Sequence, residues 1–265
     1  MELAAPEGHV ATPTLEFYRH AILTLREAGI ECLVGGAYAF ALQTRVERIT
    51  KDFDLFIRPR HVDEAIAAAR RAGFRAGISS PHWLAKIESD HGFIDVIFSS
   101  GNGVAVVDDE WFEHARHEQV LGISVGVCPP EEALWSKAFV MERDRYDGAD
   151  VAHILLARAD SLDWERLFRR FGDAWRVLFS HVLLFGFIFP TERARVPAWV
   201  TDECMRRFRA ELDSPPPTEK ICRGTLLSWS QYLIDLQDGG WRDARLAPVG
   251  SMTAEQIRLW TERPK

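Results

Sequence analysis

The chain has 265 residues, 47% hydrophobic and 27% charged, which is the composition of an ordinary globular protein and length enough for one large domain or two modest ones. A formal net charge of -7 excludes a global field that would gather nucleic acid, so any RNA or DNA contact needs a local basic patch. Four scattered cysteines (Cys32, Cys128, Cys204, Cys222) form no CxxC pair and fit reduced, buried thiols in a cytoplasmic protein better than a disulfide frame or zinc site.

The first nine residues have neither a basic n-region nor an apolar h-region, so no signal peptide is expected. Residues 13–29 carry apolar positions at helical spacing, with Thr12 as N-cap, Pro13 in the first turn and Gly29 as terminator. A short apolar strand at 32–34 follows, then the turn Gly35-Gly36, a short helix, and a second strand carrying Asp52 and Asp54 that Pro59 stops. Residues 61–72 read as an Ala-rich amphipathic helix closed by Gly73. Two strands at 82–88 and 93–98, joined by Ser-Asp-His-Gly, read as a hairpin. Asp108-Asp109 is expected to cap a helix reaching about His117, and 123–128 to form another strand.

Pro129-Pro130 marks the expected boundary between a domain of residues 1–129 and a helical domain of residues 130–265. Helices are expected at 131–142, 147–158, 163–171, 173–187, 197–212, 224–236 and 253–260, with a stiff Ser214-Pro-Pro-Pro217 segment between them. The longest apolar run, 177–189, is shorter than the roughly 20 residues a bilayer requires and reads as a buried helix, so no membrane partner is expected.

The chemistry concentrates between Val34 and Ile57. In a strand, Asp52 and Asp54 share one face while Phe53 and Leu55 take the other, toward the core. Two carboxylates on one face repel and resist burial; a cation relieves both, and hard oxygen ligands suit Mg²⁺ or Mn²⁺. The Gly35-Gly36 turn opens a helix whose first N–H groups lie at the positive end of its dipole, a phosphate site. Asp95 interrupts the apolar run 92–98 and is expensive there unless paired or holding a cation. A phosphate cradle followed by metal-holding carboxylates is equipment for phosphoryl or nucleotidyl transfer. Taken alone, Asp-x-Asp favours a solvent-facing pair on an edge strand; the Gly-Gly turn at this spacing and Asp95 together argue against that.

Gly-Gly, a helix, Asp-x-Asp and one later Asp, all between about Cys32 and Phe98, resemble the polymerase-beta-type nucleotidyltransferase superfamily. The segment Leu33-Val-Gly-Gly-Ala-Tyr-Ala-Phe, with Arg45, Arg48, Thr50 and Lys51-Asp-Phe-Asp-Leu, most resembles two branches. One is the AbiEii-type, minimal branch, which includes toxin partners of toxin–antitoxin pairs; the other modifies aminoglycosides and lincosamides. The segment from Leu134 to Val151 resembles the helix pair that follows the AbiEii-type core. The resemblance implies an α/β (α+β) fold, a mixed sheet with flanking helices followed by a helical domain, with the active site where the two meet.

It also implies roles. Asp52 and Asp54 match the metal pair, and Asp95 the third carboxylate, which shares a metal and helps deprotonate the attacking hydroxyl. Gly35 and Gly36 match the phosphate turn, and Lys137 the lysine that reaches the triphosphate. Arg45, Arg48 and Thr50, between turn and metal strand, suit either phosphate contact or solvation of a helix end, with contact favoured for one of the arginines. Two positions depart from the pattern: Gly36 stands where many members have Ser, and Lys51 where many carry a neutral residue.

The implied activity is Mg²⁺-dependent transfer of a nucleoside monophosphate from an NTP to a hydroxyl of RNA, protein or a small molecule, with an antitoxin-like partner in the toxin-like case. The alternative is a catalytically silent member that binds a nucleotide or partner protein. Lys137 reads equally as a surface lysine, Asp147 as an N-cap, and His114 and His117 as a solvated helix face. In the run 164–176, aromatics at helical spacing suit a bundle core with arginines as its wet face. His82-Trp83 suits either base stacking or the core.

Overall fold

The computed structural model describes residues 10–48, 50 and 52–261. It falls into two compact units, Met1–Ala133 and Leu134–Lys265.

In the first unit, α1 (Thr12–Glu27) carries Pro13 in its first turn. Its N-cap is Ala11, with no side-chain cap, so Thr12 lies inside the helix instead of capping it. Gly29, at φ +75°, takes the left-handed step that ends it. Then come β1 (Leu33–Val34), α2 (Gly36–Thr44), β2 (Phe53–Phe56), a 3₁₀ turn opened by Pro59, and α3 (Val62–Arg71). β3 (Arg75–Ser80), β4 (Leu84–Ser89) and β5 (Gly92–Ile97) follow, then α4 (Asp109–Glu113), β6 (Arg116–Val120) and β7 (Ile123–Val127).

The seven strands form one mixed sheet in the order β3-β4-β5-β2-β1-β7-β6. β2 runs parallel to β5 and antiparallel to β1, and β1 runs parallel to β7. The buried face is built from alternate residues: Phe53 and Leu55 on β2 pair with Ile94 and Val96 on β5, all nearly inaccessible. Tyr18 stacks on the Phe53 ring at 4.8 Å and Tyr38 meets it edge-on at 4.8 Å, so one ring ties α1 and α2 to the strand. Burying such a side chain contributes about 1.5–3 kcal/mol. Gln43 of α2 donates from Nε2 to the Cys128 carbonyl at 2.6 Å, a buried bond between groups 85 residues apart.

Three elements differ from the sequence expectation. β3 is absent from it because Arg-Ala-Gly-Ile-Ser-Ser lacks an apolar alternation; as an edge strand it has only one face and one neighbour to satisfy. The helix expected to reach His117 stops at Glu113, and Arg-His-Glu-Gln-Val forms the opposite edge of the sheet. His117 is therefore on a strand, so it shares no helix face with His114. Asp108 does cap, its side chain accepting from the Glu110 amide at 3.1 Å.

The second unit is mostly helical. It takes in the end of α5 (Pro130–Ala138), then α6 (Gly148–Arg158), α7 (Trp164–Phe171), α8 (Trp175–Ile188), α9 (Ala198–Leu212), α10 (Leu233–Gln237) and α11 (Ala254–Thr261). The helix expected over 224–236 is a 3₁₀ turn at Gly224–Leu226 and the short α10. A two-stranded parallel pair, β8 (Ile221–Cys222) with β9 (Arg242–Asp243), lies in the same region. Trp164, Phe168 and Phe171 are buried as expected, but so is Arg166, which was expected on the wet face.

By length and composition alone, the stretch Trp164–Ile188 is apolar enough to cross a membrane, yet it breaks at Gly172, where φ is +47°. The helix expected to be buried at 177–189 is buried on one face only. Trp175, Leu178, His181, Val182 and Phe185 are buried, while Leu183, Phe187 and Ile188 are exposed.

Candidate functional site

Gly35 and Gly36 stand between β1 and α2 and face the carboxylate strand. The Gly35 amide donates to the Asp54 carbonyl at 2.9 Å, extending the β1–β2 ladder by one residue. That N–H is thereby committed to the sheet, so an anion at this turn would have to take the amides of the first turn of α2, at the positive end of that helix's dipole. Gly36 has φ +52°, and a Cβ added there would lie 1.7 Å from Asp54 Oδ2. At Gly35 a Cβ would lie 2.2 Å from the Phe56 ring. Both glycines are therefore closely approached, and a side chain at position 36 would have to displace the Asp54 carboxylate and adopt a left-handed backbone.

β2 places Asp54 half-buried between fully buried Phe53 and Leu55, while Asp52 lies just before the strand and is exposed. The parallel register sets Asp54 directly beside Asp95 on β5. Side chains paired in this way project to the same face, so two carboxylates from strands far apart in sequence become neighbours. Thr50 braces the approach to β2. Its hydroxyl donates to the Asp52 carbonyl at 3.1 Å and accepts from the Asp52 amide at 3.2 Å. Lys51 lies outside the described residues. Arg48 sits 5.4 Å from the centre of the Phe40 ring of α2, and Arg45, at φ +62°, closes that helix.

The charges of Asp52 and Asp54 reach Tyr18. Burial, chiefly, and then these two carboxylates raise the Tyr18 phenol above its ordinary pKa, so it stays protonated beside the acidic strand. Asp95 has a partner that the sequence reading did not identify: Lys86 Nζ lies 2.7 Å from Asp95 Oδ1. Lys86 is directly opposite Asp95 across the β4–β5 hairpin. The signal was available, because a two-residue turn at Asp90-His91 pairs Ser89 with Gly92, and counting back gives Lys86 with Asp95.

Asp52, Asp54 and Asp95 offer hard oxygen donors of the kind Mg²⁺ takes, and the space a Gly36 side chain would fill is occupied by an Asp54 oxygen. The donor chemistry fits a magnesium ion held by Asp52 and Asp54. Among the described residues, no three His, Cys, Asp or Glu side chains are gathered tightly enough to hold a metal between them, and Asp95 is engaged by Lys86.

Lys137 is in α5, in the second unit. Its Nζ donates to Asp150 at 2.8 Å and lies 3.6 Å from Asp147, which in turn takes a bidentate Arg145. Asp147 thus sits at the N-cap position of α6 but makes no capping bond. His82 is buried, with Nε2 2.9 Å from the Gly101 carbonyl, which leaves its ring in the core instead of on a stacking surface. His114 lies 3.9 Å from Glu110.

Among solved structures, the chain is similar to the antibiotic-resistance factor ANT(2'')-Ia in solution, at 16% identity over 64% of this chain and 94% of that one, with TM-score 0.46. It is similar to the lincosamide antibiotic adenylyltransferase LnuA with lincomycin bound, at 13% identity over 55% and 96%, with TM-score 0.37. An antigenic nucleotidyltransferase-like protein from Paracoccidioides brasiliensis gives 15% identity over 70% and 93%, with TM-score 0.45. No curated protein matches the chain. A family model described as "Nucleotidyl transferase of unknown function (DUF2204)" matches residues 14–166, a span that holds the glycine turn and all three aspartates. With more than half its length matched, the chain belongs to that family of nucleotidyl transferases.

Proposed function

We propose that the chain transfers a nucleoside monophosphate from an NTP to a hydroxyl acceptor, that the first unit carries the chemistry, and that the protein works in the cytoplasm. The observation that carries this reading is the register pairing of Asp54 with Asp95, beside a glycine turn against which the Asp54 carboxylate is packed. Asp52 and Asp54 hold Mg²⁺ or Mn²⁺. That ion, when bound, neutralises charge at the α-phosphate and on the departing pyrophosphate. The first-turn amides of α2, after Gly36, bind a phosphate oxygen. Asp95 accepts the proton of the attacking hydroxyl. Thr50 fixes the Asp52 backbone, and Arg48 lies on the same connection and completes the phosphate contacts. Lys137, in the second unit, gives its ammonium to Asp150 in this structure.

For the acceptor we favour a small polyhydroxylated molecule over RNA or protein, because a net charge of -7 repels nucleic acid. An RNA or protein acceptor, with an antitoxin-like partner, is the reading carried by the AbiEii resemblance. The test is transfer from each α-labelled NTP with Mg²⁺ into small-molecule, RNA and protein fractions of a cell extract. Label in a small product that disappears in Asp52→Ala/Asp54→Ala supports the reading. Label in RNA or protein replaces the acceptor. NTP binding without transfer to any fraction makes the chain a silent nucleotide binder.

A further inference from the structure

Asp95 and Lys86 lie in one row across the sheet with Asp54, set by two registers: Asp54 beside Asp95 on parallel strands, and Lys86 opposite Asp95 across the hairpin. Lys86 is not a loose surface lysine. Its side chain is 32% exposed, its ammonium lies 2.7 Å from Asp95 Oδ1, and the same nitrogen sits 4.1 Å from the centre of the Phe93 ring. The Phe93 face adds a cation–π attraction to the ion pair, and Phe93 belongs to the strand of Asp95 itself. The stem and head are held by two groups two residues apart on one face, so the ammonium has a defined place in the site.

A fixed cation there changes what Asp95 can do. A carboxylate shared between two divalent ions uses both oxygens on metal; here Oδ1 is engaged by an ammonium. The ammonium supplies one positive charge to the row of carboxylates without any ion from solution. Asp52 and Asp54, the latter packed against Gly36, are the carboxylates that would hold a single divalent ion.

Resting on the nucleotidyltransferase reading, we propose that Lys86 is the built-in counter-ion of Asp95, so that the site takes one divalent cation with its nucleotide and Lys86 stands where the third carboxylate would otherwise recruit a second. Lys86 is a positioning residue, acting through Asp95.

Manganese binding in the presence of a non-hydrolysable NTP analogue tests this, read as bound Mn²⁺ per chain by electron paramagnetic resonance. Wild type is expected to bind one. Lys86→Met and Lys86→Gln, with folding checked by their melting curves, are expected to bind two, because Asp95 is released to ligate. Lys86→Arg keeps the charge and is expected to bind one and to retain kcat within a few-fold. Two ions in wild type, or one in both neutral variants, overturns the inference. Asp54→Asn separates that failure from failure of the underlying reading. If protein-dependent Mn²⁺ binding survives loss of Asp54, or wild type binds none, the nucleotidyltransferase assignment itself fails.

Discussion

Substituting Gly36 by Ala separates a stability effect from a catalytic one at a single atom. The new Cβ would lie 1.7 Å from Asp54 Oδ2 and 2.7 Å from its Cγ. Non-bonded heavy atoms rest about 3.5 Å apart, so the carboxylate must retreat by roughly 1.5–2 Å. Because Oδ2 ends a rotatable side chain, that retreat costs little folding energy. The fold instead bears the left-handed backbone, φ +52°, which for a residue with a Cβ costs about 1–2 kcal/mol. Gly29→Ala is the matched control, with φ +75° and nothing within 4 Å of its Cβ. Both variants should lose about 1–2 kcal/mol in urea denaturation. Only Gly36→Ala should lose turnover, by about 10²-fold or more, the expected cost of misplacing a catalytic group by an ångström. Turnover of Gly36→Ala within threefold of Gly29→Ala would refute the placement of Asp54 at the reacting centre.

Asp54→Asn keeps the shape of the side chain and should abolish measurable NTP turnover while shifting urea stability by less than about 1 kcal/mol, since surface-facing isosteric changes fall in that range. Asp109 is held at a pKa of about 2, first by hydrogen bonds from Arg60 and then from Arg58. A depressed carboxylate stabilises the fold above its unfolded pKa and loses that contribution as pH falls through the folded value. The stability gap between wild type and Asp109→Asn, read by urea midpoint, should therefore be full at pH 5 and close between about pH 4 and pH 2. Burial pushes the Cys32 thiol up to about 12, and Cys128 and Cys204 are also buried, while Cys222 is partly exposed. A thiol reagent at neutral pH should label Cys222 first in the native protein, and all four cysteines only on unfolding. Phe53→Ala empties the contact between Tyr18, Tyr38 and β2 and should cost about 3–5 kcal/mol by chemical denaturation.

The parts of the fold that the sequence made legible are those with a local physical signature. Pro13, the helical periodicity and Gly29 bracket α1; two-residue turn chemistry gives the β4–β5 hairpin; alternation around Asp54 gives β2. The misses are edge elements and short ones. β3 and β6 are charged or glycine-containing because an edge strand buries little, so neither alternation nor β-branched enrichment marks them. Arg166 is buried at a helical position where a charge is expected to be wet, which no pattern on its own helix discloses. At the site, the residue types were read but their partners were not. That Asp95 meets Lys86 could be counted back from the hairpin turn, whereas the bond from the Gly35 amide to Asp54 depends on a pairing of β1 with β2 that no short turn sets.

The bond from Gln43 to Cys128, and the parallel pairing of β1 with β7 beside it, have a consequence for synthesis. A ribosome delivers the glycine turn and the Asp-x-Asp strand early, yet β1 is two residues long and gains its second neighbour only when β7 emerges. Contacts spanning so much chain carry a loop-closure cost that must be met before they stabilise anything, which slows assembly. The glycine turn is thus finished last, although its residues are made first. A chain interrupted before Ile123 would carry every carboxylate of the site and still lack the strand that holds β1 in the sheet.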